Sequence, residues 1–154
     1  MTKEEKAYLA GLVDGEGTVT LARQSKSQQP QPRLAISNNS LELLEWVRRK
    51  TGCGVIIRRT PRKDWHNTSY VWQAQRAGSV LNVLTEIKPY LILKKAHAAL
   101  LLSSYKACTP RNGKYTPDSL DAKLRLVDDI RRLNQAHRSP TSIIRQAPAE
   151  KSAG

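Results

Sequence analysis

Apolar residues recur along this chain in two rhythms, and the switches between them mark out its elements. Near the N-terminus Tyr8, Leu9, Leu12 and Val13 fall three and four apart, the period of an amphipathic helix. Thr2 followed by Glu5 is a capping box that starts this helix. Gly15 and Gly17, able to take left-handed conformations, are expected to end it. Residues 18–23 then alternate as a strand does, with Val19 and Leu21 on one face and Thr18, Thr20 and Ala22 on the other. Residues 24–32 are polar with two prolines and read as an exposed loop, after which residues 33–37 alternate again with Leu34 and Ile36 inward. Ser40 caps a second helix that carries acids early, Arg48, Arg49 and Lys50 late, and Gly52 at its end.

The second half repeats the theme. Residues 54–60 are a β-branched run closing on two arginines, and residues 61–68 a basic loop containing Trp65 and His66. A fourth strand over residues 70–76 places Trp72 and Ala74 on one face and Val71, Gln73 and Gln75 on the other. A third helix begins near Ser79 and yields at Pro89, and another spans residues 91–106. Thr116-Pro117 starts a last helix with Leu120, Leu124, Val127 and Ile130 on one stripe. The order predicts an α+β fold: an α-β-β-α-β-β-α core with additional C-terminal helices, in which a four-stranded antiparallel sheet carries the helices on one face. One domain is expected over residues 1–136, and a Ser-, Ala- and Pro-rich tail over 137–154 reads as disordered.

Charge sharpens the picture. Lys and Arg number 26 against 13 acids, a formal net charge of +13, and a polyanionic partner would relieve the self-repulsion. Nucleic acid is the commonest such partner; an anionic membrane surface or a ribosomal setting are the rivals. Cys53 and Cys108 form no CxxC pair, and His66, His97 and His137 have no metal-ligand spacing, which argues against a disulfide scaffold or a structural zinc site. The charged N-terminus has no signal-peptide core, and the most apolar stretch, residues 91–102, is interrupted by Lys94, Lys95 and His97. A soluble, intracellular protein of a bacterial cytoplasm or an organelle is expected, with neither a membrane nor a small-molecule substrate as partner.

Chemistry concentrates in residues 9–17, Leu-Ala-Gly-Leu-Val-Asp-Gly-Glu-Gly. Ala7, Gly11 and Gly15 recur every four residues, a stripe almost without side chains along which a second helix can approach closely. One chain holds one copy, so the second helix is expected from an identical subunit across a two-fold axis. Two Glu16 carboxylates would then converge at the negative ends of two helices, a repulsion that a divalent cation resolves. Mg²⁺ suits the oxygen ligands and the attack of water on phosphate; Ca²⁺ should support binding with little cleavage.

The nonapeptide closely resembles the signature of the LAGLIDADG homing endonucleases, with Val fifth, Gly seventh and Glu as the final acid. The similarity extends to Asn38, to Gly52-Cys53-Gly54 and to the run Lys88-Pro89-Tyr90-Leu91-Ile92-Leu93-Lys94, and covers roughly residues 5–135. It implies that Glu16 and the Gly15 carbonyl are metal ligands, and that Lys94 helps the nucleophilic water and the transition-state charge. Asn38 could order a water in the pocket, or serve only the turn before the Ser40 cap; Lys94 could instead be a lysine snorkelling from a helix end. Asp14, one residue parity away, is read as tying up backbone at the helix end and stays outside the catalytic set.

The outward strand faces offer a basic, polar surface for the major groove of double-stranded DNA, where Arg suits guanine and Gln adenine. Period-two counting assigns Thr18, Thr20, Gln24 and Lys26 to it from the first strand and its loop, and Arg33 and Ser37 from the second. Arg59, Gln73 and Gln75 follow from the later strands, while Arg58, Arg62, Lys63 and Lys26 suit phosphates. Trp46 and Trp72 fit the core; Trp65 could do either. The function so implied is a homing endonuclease, intron- or intein-associated, that makes a metal-dependent double-strand break in a long, nearly palindromic site. An intron maturase or a DNA- or RNA-binding relative that does not cut is the alternative. A basic ribosome-associated structural protein would not need an acid between two glycines.

Overall fold

A computed structural model of the chain describes residues 1–60 and 68–136. The expectations for Arg62, Lys63, Trp65 and His66 and for the tail at 137–154 lie outside these residues. The described chain is α+β. Helix α1 (Lys3–Glu16) leads into β1 (Gly17–Ala22) and β2 (Gln31–Asn38), then α2 (Leu41–Thr51), β3 (Val55–Arg59) and β4 (Ser69–Ala74). Helix α3 (Ala77–Ile87), a short 3₁₀ turn at Lys88–Tyr90, α4 (Lys95–Ser104) and α5 (Pro117–Ala136) complete it. The strands form one antiparallel sheet in the order β1-β2-β4-β3.

Period-two alternation decides which face is covered. Val19, Leu34, Ile36 and Trp72 are fully buried and meet Leu9, Ala10 and Val13 of α1, Leu44 and Val47 of α2, and Val80, Leu84 and Ile87 of α3. Each fully buried Leu or Ile contributes about 1.5–3 kcal/mol, more than a helix cap, which contributes ~1 kcal/mol. The Thr2–Glu5 capping box is present in both directions, so it sets where α1 starts, while burial holds α1 on the sheet. Gly54, at φ 84°, carries the chain beneath Trp72, whose Nε1 donates to the Cys53 carbonyl at 3.0 Å; a Cβ at Gly54 would lie 2.5 Å from that nitrogen. Trp46 is half-buried, edge-on to Tyr8 at 5.1 Å.

Several boundaries differ from the sequence reading, each for a physical reason. β2 begins at Gln31 rather than at Arg33, and takes in the buried Pro32. Proline is accommodated there because β4 pairs β2 only from Leu34 onward, leaving Pro32 in a stretch laddered on one side, opposite Leu21. β4 ends at Ala74, so Gln75 is no longer strand, and α3 starts at Ala77. The helix expected over residues 91–106 is shortened to α4: residues 91–94 form an irregular turn whose amides bond a side chain of α1. In α5 the buried positions are Lys123, Leu126 and Ile130, while Leu124 is 44% exposed. Counting only apolar residues rotated the expected stripe, because a lysine occupies one of the covered positions.

Candidate active site and nucleic-acid interface

Helix α1 delivers Glu16 as its last residue and passes into β1 without a loop. The hinge is Gly17, which is extended (φ −89°, ψ 162°) and not left-handed; Gly15 is still helical. A Cβ on Gly17 would lie 2.5 Å from the Val13 carbonyl oxygen and 2.7 Å from the Val13 Cα. The glycine is there for space, and the expectation of a left-handed stop at Gly15 and Gly17 is corrected accordingly.

Around that hinge the chain gathers the residues singled out from the sequence. Asn38, at the end of β2, donates from Nδ2 to Glu16 Oε2 at 2.6 Å and accepts the Ser40 amide on Oδ1 at 2.8 Å. The turn before the Ser40 cap thus uses one end of the amide, and the other end is bonded to Glu16. Glu16 is exposed, so its remaining lone pairs are open to solvent. Asp14 accepts the Ile92 amide at 2.7 Å and the Lys94 amide at 2.8 Å, one on each carboxylate oxygen. It ties up backbone, but that of the 91–94 turn instead of its own helix end. Lys94, the N-cap residue of α4, extends its Nζ to the Asp14 carbonyl at 2.8 Å. Partial burial pushes its ammonium pKa below the ordinary lysine value, and the Asp14 charge opposes that shift. The lysine is held by α1 rather than left to snorkel.

The donor set suits a hard cation. The residues four beyond Gly15 and Glu16, Val19 and Thr20, lie in β1, so these two helix-end carbonyls have no partner within α1. With the Glu16 carboxylate they are the oxygen donors that the end of α1 offers. Among the described residues no group of three or more His, Cys, Asp or Glu gathers around a possible metal. A divalent ion held here would take its remaining ligands from outside these residues, water and phosphate among them. Ala7, Gly11 and Gly15 are exposed along α1, and a Cβ added at Gly11 or Gly15 would meet nothing within 4 Å. Beside this open stripe lie large exposed apolar groups: Tyr8 at 52%, Ile92 at 83% and Leu93 at 53%. The helical period had counted Tyr8 with the apolar face of α1, and its exposure corrects that expectation.

The outer face of the sheet follows from strand register. Thr20 pairs Arg33; Thr18, Ala35, Gln73 and Val55 form the next row; Ser37, Val71 and Ile57 the next; Ser69 and Arg59 the last. Thr18, Thr20, Arg33, Ser37, Gln73 and Arg59 thus share one surface, where Arg33 Nη2 donates to Gln73 Oε1. Arg58 shares parity with Ile56 and pairs Tyr70, so it lies off that surface. Gln24 and Gln75 lie beyond the strands and meet Arg33 around a groove of about 230 Å³, and Lys26 sits in the exposed turn between β1 and β2. Val71 has the expected outward parity yet is only 4% exposed, closed in at the middle of the surface. Missed entirely were Arg131, Asn134 and Gln135 of α5, which line a cavity of about 430 Å³ with Lys94, Thr18 and Thr20. Asn134 also donates to the Val19 carbonyl at 3.3 Å; contact between residues so distant in sequence leaves no periodic trace. A cavity of about 540 Å³ between α3 and α4, lined by Lys88, Lys95 and Lys106, holds none of the expected site residues. No described helix is long and apolar enough to cross a membrane.

Known proteins place this arrangement. No curated protein matches the chain in sequence. Among solved structures it is similar to the homing endonuclease I-CvuI in complex with its target in the presence of Ca, at 24% identity and TM-score 0.69, over 84% of this chain and 82% of that one. It is similar also to the archaeal intron-encoded homing endonuclease I-Vdi141I complexed with DNA, at 16% identity and TM-score 0.68, over 84% of each chain. The meganuclease I-SmaMI bound to uncleaveable DNA matches at 20% identity and TM-score 0.63, over 80% of this chain but 43% of that one. Residues 3–92, more than half of the chain, match the LAGLIDADG-like domain family and include the hinge that carries Glu16. By that match the chain belongs to the LAGLIDADG family and is built on the α+β fold of its homing endonucleases.

Proposed function

We propose that this protein is a divalent-metal-dependent DNA endonuclease that cuts both strands of a long, pseudo-palindromic site as a symmetric homodimer. One observation carries the reading: an exposed carboxylate, Glu16, is oriented by Asn38 at the end of a helix whose Ala7-Gly11-Gly15 stripe is open. A chain that covers most of I-CvuI but 43% of I-SmaMI corresponds to less than half of the latter, which is in keeping with two copies assembling one site. Packing two stripes against each other would bring two Glu16 residues to the axis and cover the apolar Tyr8, Ile92 and Leu93.

In this reading Glu16 and the Gly15 carbonyl hold the cation, with Mg²⁺ as the physiological ion and Ca²⁺ permitting binding with little cutting. When bound, the ion supplies Lewis acidity at the scissile phosphate. The protein's own groups do the rest. Asn38 fixes the orientation of the Glu16 carboxylate that would hold the cation, and Lys94, braced on the Asp14 carbonyl, would present positive charge where the transition state gains negative charge. The sheet surface, from Thr20 and Arg33 across to Arg59, would lie in the major groove, with Gln24, Lys26 and Gln75 at its end. The complexes of I-CvuI and I-Vdi141I with DNA support that partner for this chain.

The test is Glu16→Gln. Glutamine preserves the Asn38 bond and removes the charge, so the variant should bind a site selected from random duplexes at least as tightly as the wild type. Its cleavage of that site in Mg²⁺ should fall on the order of 10²–10³-fold or more, and EDTA should stop the wild-type reaction. Wild-type cleavage by Glu16→Gln would remove this carboxylate from the chemistry, and binding without cutting by the wild type would identify a non-cleaving relative.

A further inference from the structure

The outer sheet face holds a feature that neither hydrogen-bonded base reading nor phosphate contact uses. Val55 is 56% exposed and Ile57 42% exposed, both projecting from β3 on the side opposite the core. Register puts Val55 beside Gln73, with Ala35 beyond it, and Ile57 beside the nearly closed Val71. Val55, Ile57 and Val71 make an apolar strip across β3 and β4; Gln73 stands between Val55 and Ala35 and is bonded by Arg33, and Arg59 follows Ile57 along β3. Strand propensity alone does not account for it. Arg58 and Arg59 show that polar residues are tolerated in the same strand, and threonine would keep the β-branch without exposing a second methyl.

Resting on the proposed function, in which this face enters the major groove, we infer that Val55 and Ile57, backed by Val71, recognise the 5-methyl groups of thymines in each half-site. The major groove presents donors and acceptors plus one apolar feature, the thymine methyl, and aliphatic side chains are its complement. Alternate residues on a strand are about 6.6–6.8 Å apart, so Val55 and Ile57 can address different base pairs. The polar border fits the assignment. Gln73 is held by Arg33 and Arg59 flanks Ile57, so the strip interrupts the hydrogen-bonding residues instead of lying apart from them. With a net charge of +13 on the chain, a polyanion is the partner that brings such a face out of water.

The experiment uses the full chain and its selected duplex, with binding measured in Ca²⁺. Each thymine of one half-site is replaced singly by uracil, which deletes one methyl and leaves every hydrogen-bonding group in place. At one or two positions the wild type should lose about three- to fivefold in affinity, the effect of one methyl group withdrawn from apolar contact. Val55→Thr keeps shape and strand preference, Ile57→Thr keeps the β-branch while losing the terminal methyl, and each should reduce the uracil penalty at its own position only. At those positions a 5-methylcytosine pair should be bound more tightly than a cytosine pair, by a similar factor in the wild type and a smaller one in the threonine variants. Uracil without effect anywhere, while Gln73→Ala or Arg59→Ala changes base preference, would overturn the methyl assignment and leave the sheet as reader. If none of these substitutions alters preference, the sheet does not read the duplex and both readings fall. A change in sedimentation of the threonine variants with unchanged uracil penalties would give the strip to self-association and also overturn it.

Discussion

Two acids that end α1 two residues apart do different work because helix geometry turns them apart. At 3.6 residues per turn, positions 14 and 16 are separated by about 200°. Glu16 meets Asn38 on one side, and Asp14 meets the 91–94 turn on the other. Asparagine cannot replace Asp14: it offers one acceptor to two amides and sets an NH₂ donor against the other. Asp14→Asn should destabilise the fold by about 1.5 kcal/mol, the loss of a charge-assisted bond to a partly buried amide, read as a lower denaturation midpoint. Because the same turn positions Lys94, cleavage by the folded variant should also slow while DNA binding is kept. An unchanged midpoint would show that the 91–94 turn holds itself. Glu16 and Asn38 could be found from the sequence, since the nonapeptide and the strand-to-cap transition mark them. The partners of Asp14, about 80 residues away, could not.

At the scale of elements, α5 shows how a charge can stand in for an apolar residue. Lys123 is fully buried, with its Nζ 2.6 Å from Thr109 Oγ1 and 3.9 Å from the centre of the Tyr105 ring. Burial pushes its pKa below the ordinary lysine value of 10.5, with the Cys108 thiol acting in the opposite sense. The sign follows directly. A base with a lowered folded pKa holds its proton more weakly when folded, so it costs stability at neutral pH. That cost is constant below the folded pKa and shrinks as pH rises from there toward 10.5. Lys123→Met should therefore raise stability by about 1 kcal/mol at pH 7, since Thr109 keeps its bond to the Tyr105 carbonyl at 2.6 Å. The difference between variant and wild type should narrow as pH rises through that window. Tyr105, whose pKa burial raises, touches Lys123, so Tyr105→Phe carried in both proteins keeps its titration out of the difference. Chemical denaturation from pH 7 to 10.5 measures this; a difference independent of pH would show that Lys123 does not titrate differently on folding.

Over the whole molecule, the open surface of α1 is the face that the proposed homodimer would cover. Gly11→Leu places its Cβ where the single chain has no neighbour within 4 Å, on an exposed helix face, so it should leave the folding of the protomer intact. Against a second stripe the same side chain would hold the helices apart. The variant should melt as the wild-type protomer does, sediment as a monomer where the wild type is a dimer, and lose double-strand cleavage. A wild type that is monomeric both free and on its selected duplex would remove the dimer, and with it the convergence of two Glu16 residues.

Local rules were sufficient where neighbours in sequence set the outcome. The capping box at Thr2 and Glu5, the alternation of Val19 with Leu21 and Leu34 with Ile36, and the cap at Ser40 each bury or satisfy groups within a few residues, and each is present. The same economy made the hinge acid stand out, because an acid between two glycines at a helix-to-strand switch has few other uses. Tertiary structure decided whatever depended on a distant partner: that Gly17 is needed for room beside Val13, that residues 91–94 give up helix to bond Asp14, and that Lys123 is covered by Tyr105. Strand register belongs there too. Period-two counting tells which residues share a face, but only pairing between β4 and β3 brings Val71, Val55 and Ile57 into one strip. Periodicity reports the surroundings averaged along one element, whereas a site is made of contacts between elements, which the chain acquires only when the sheet closes beneath its helices.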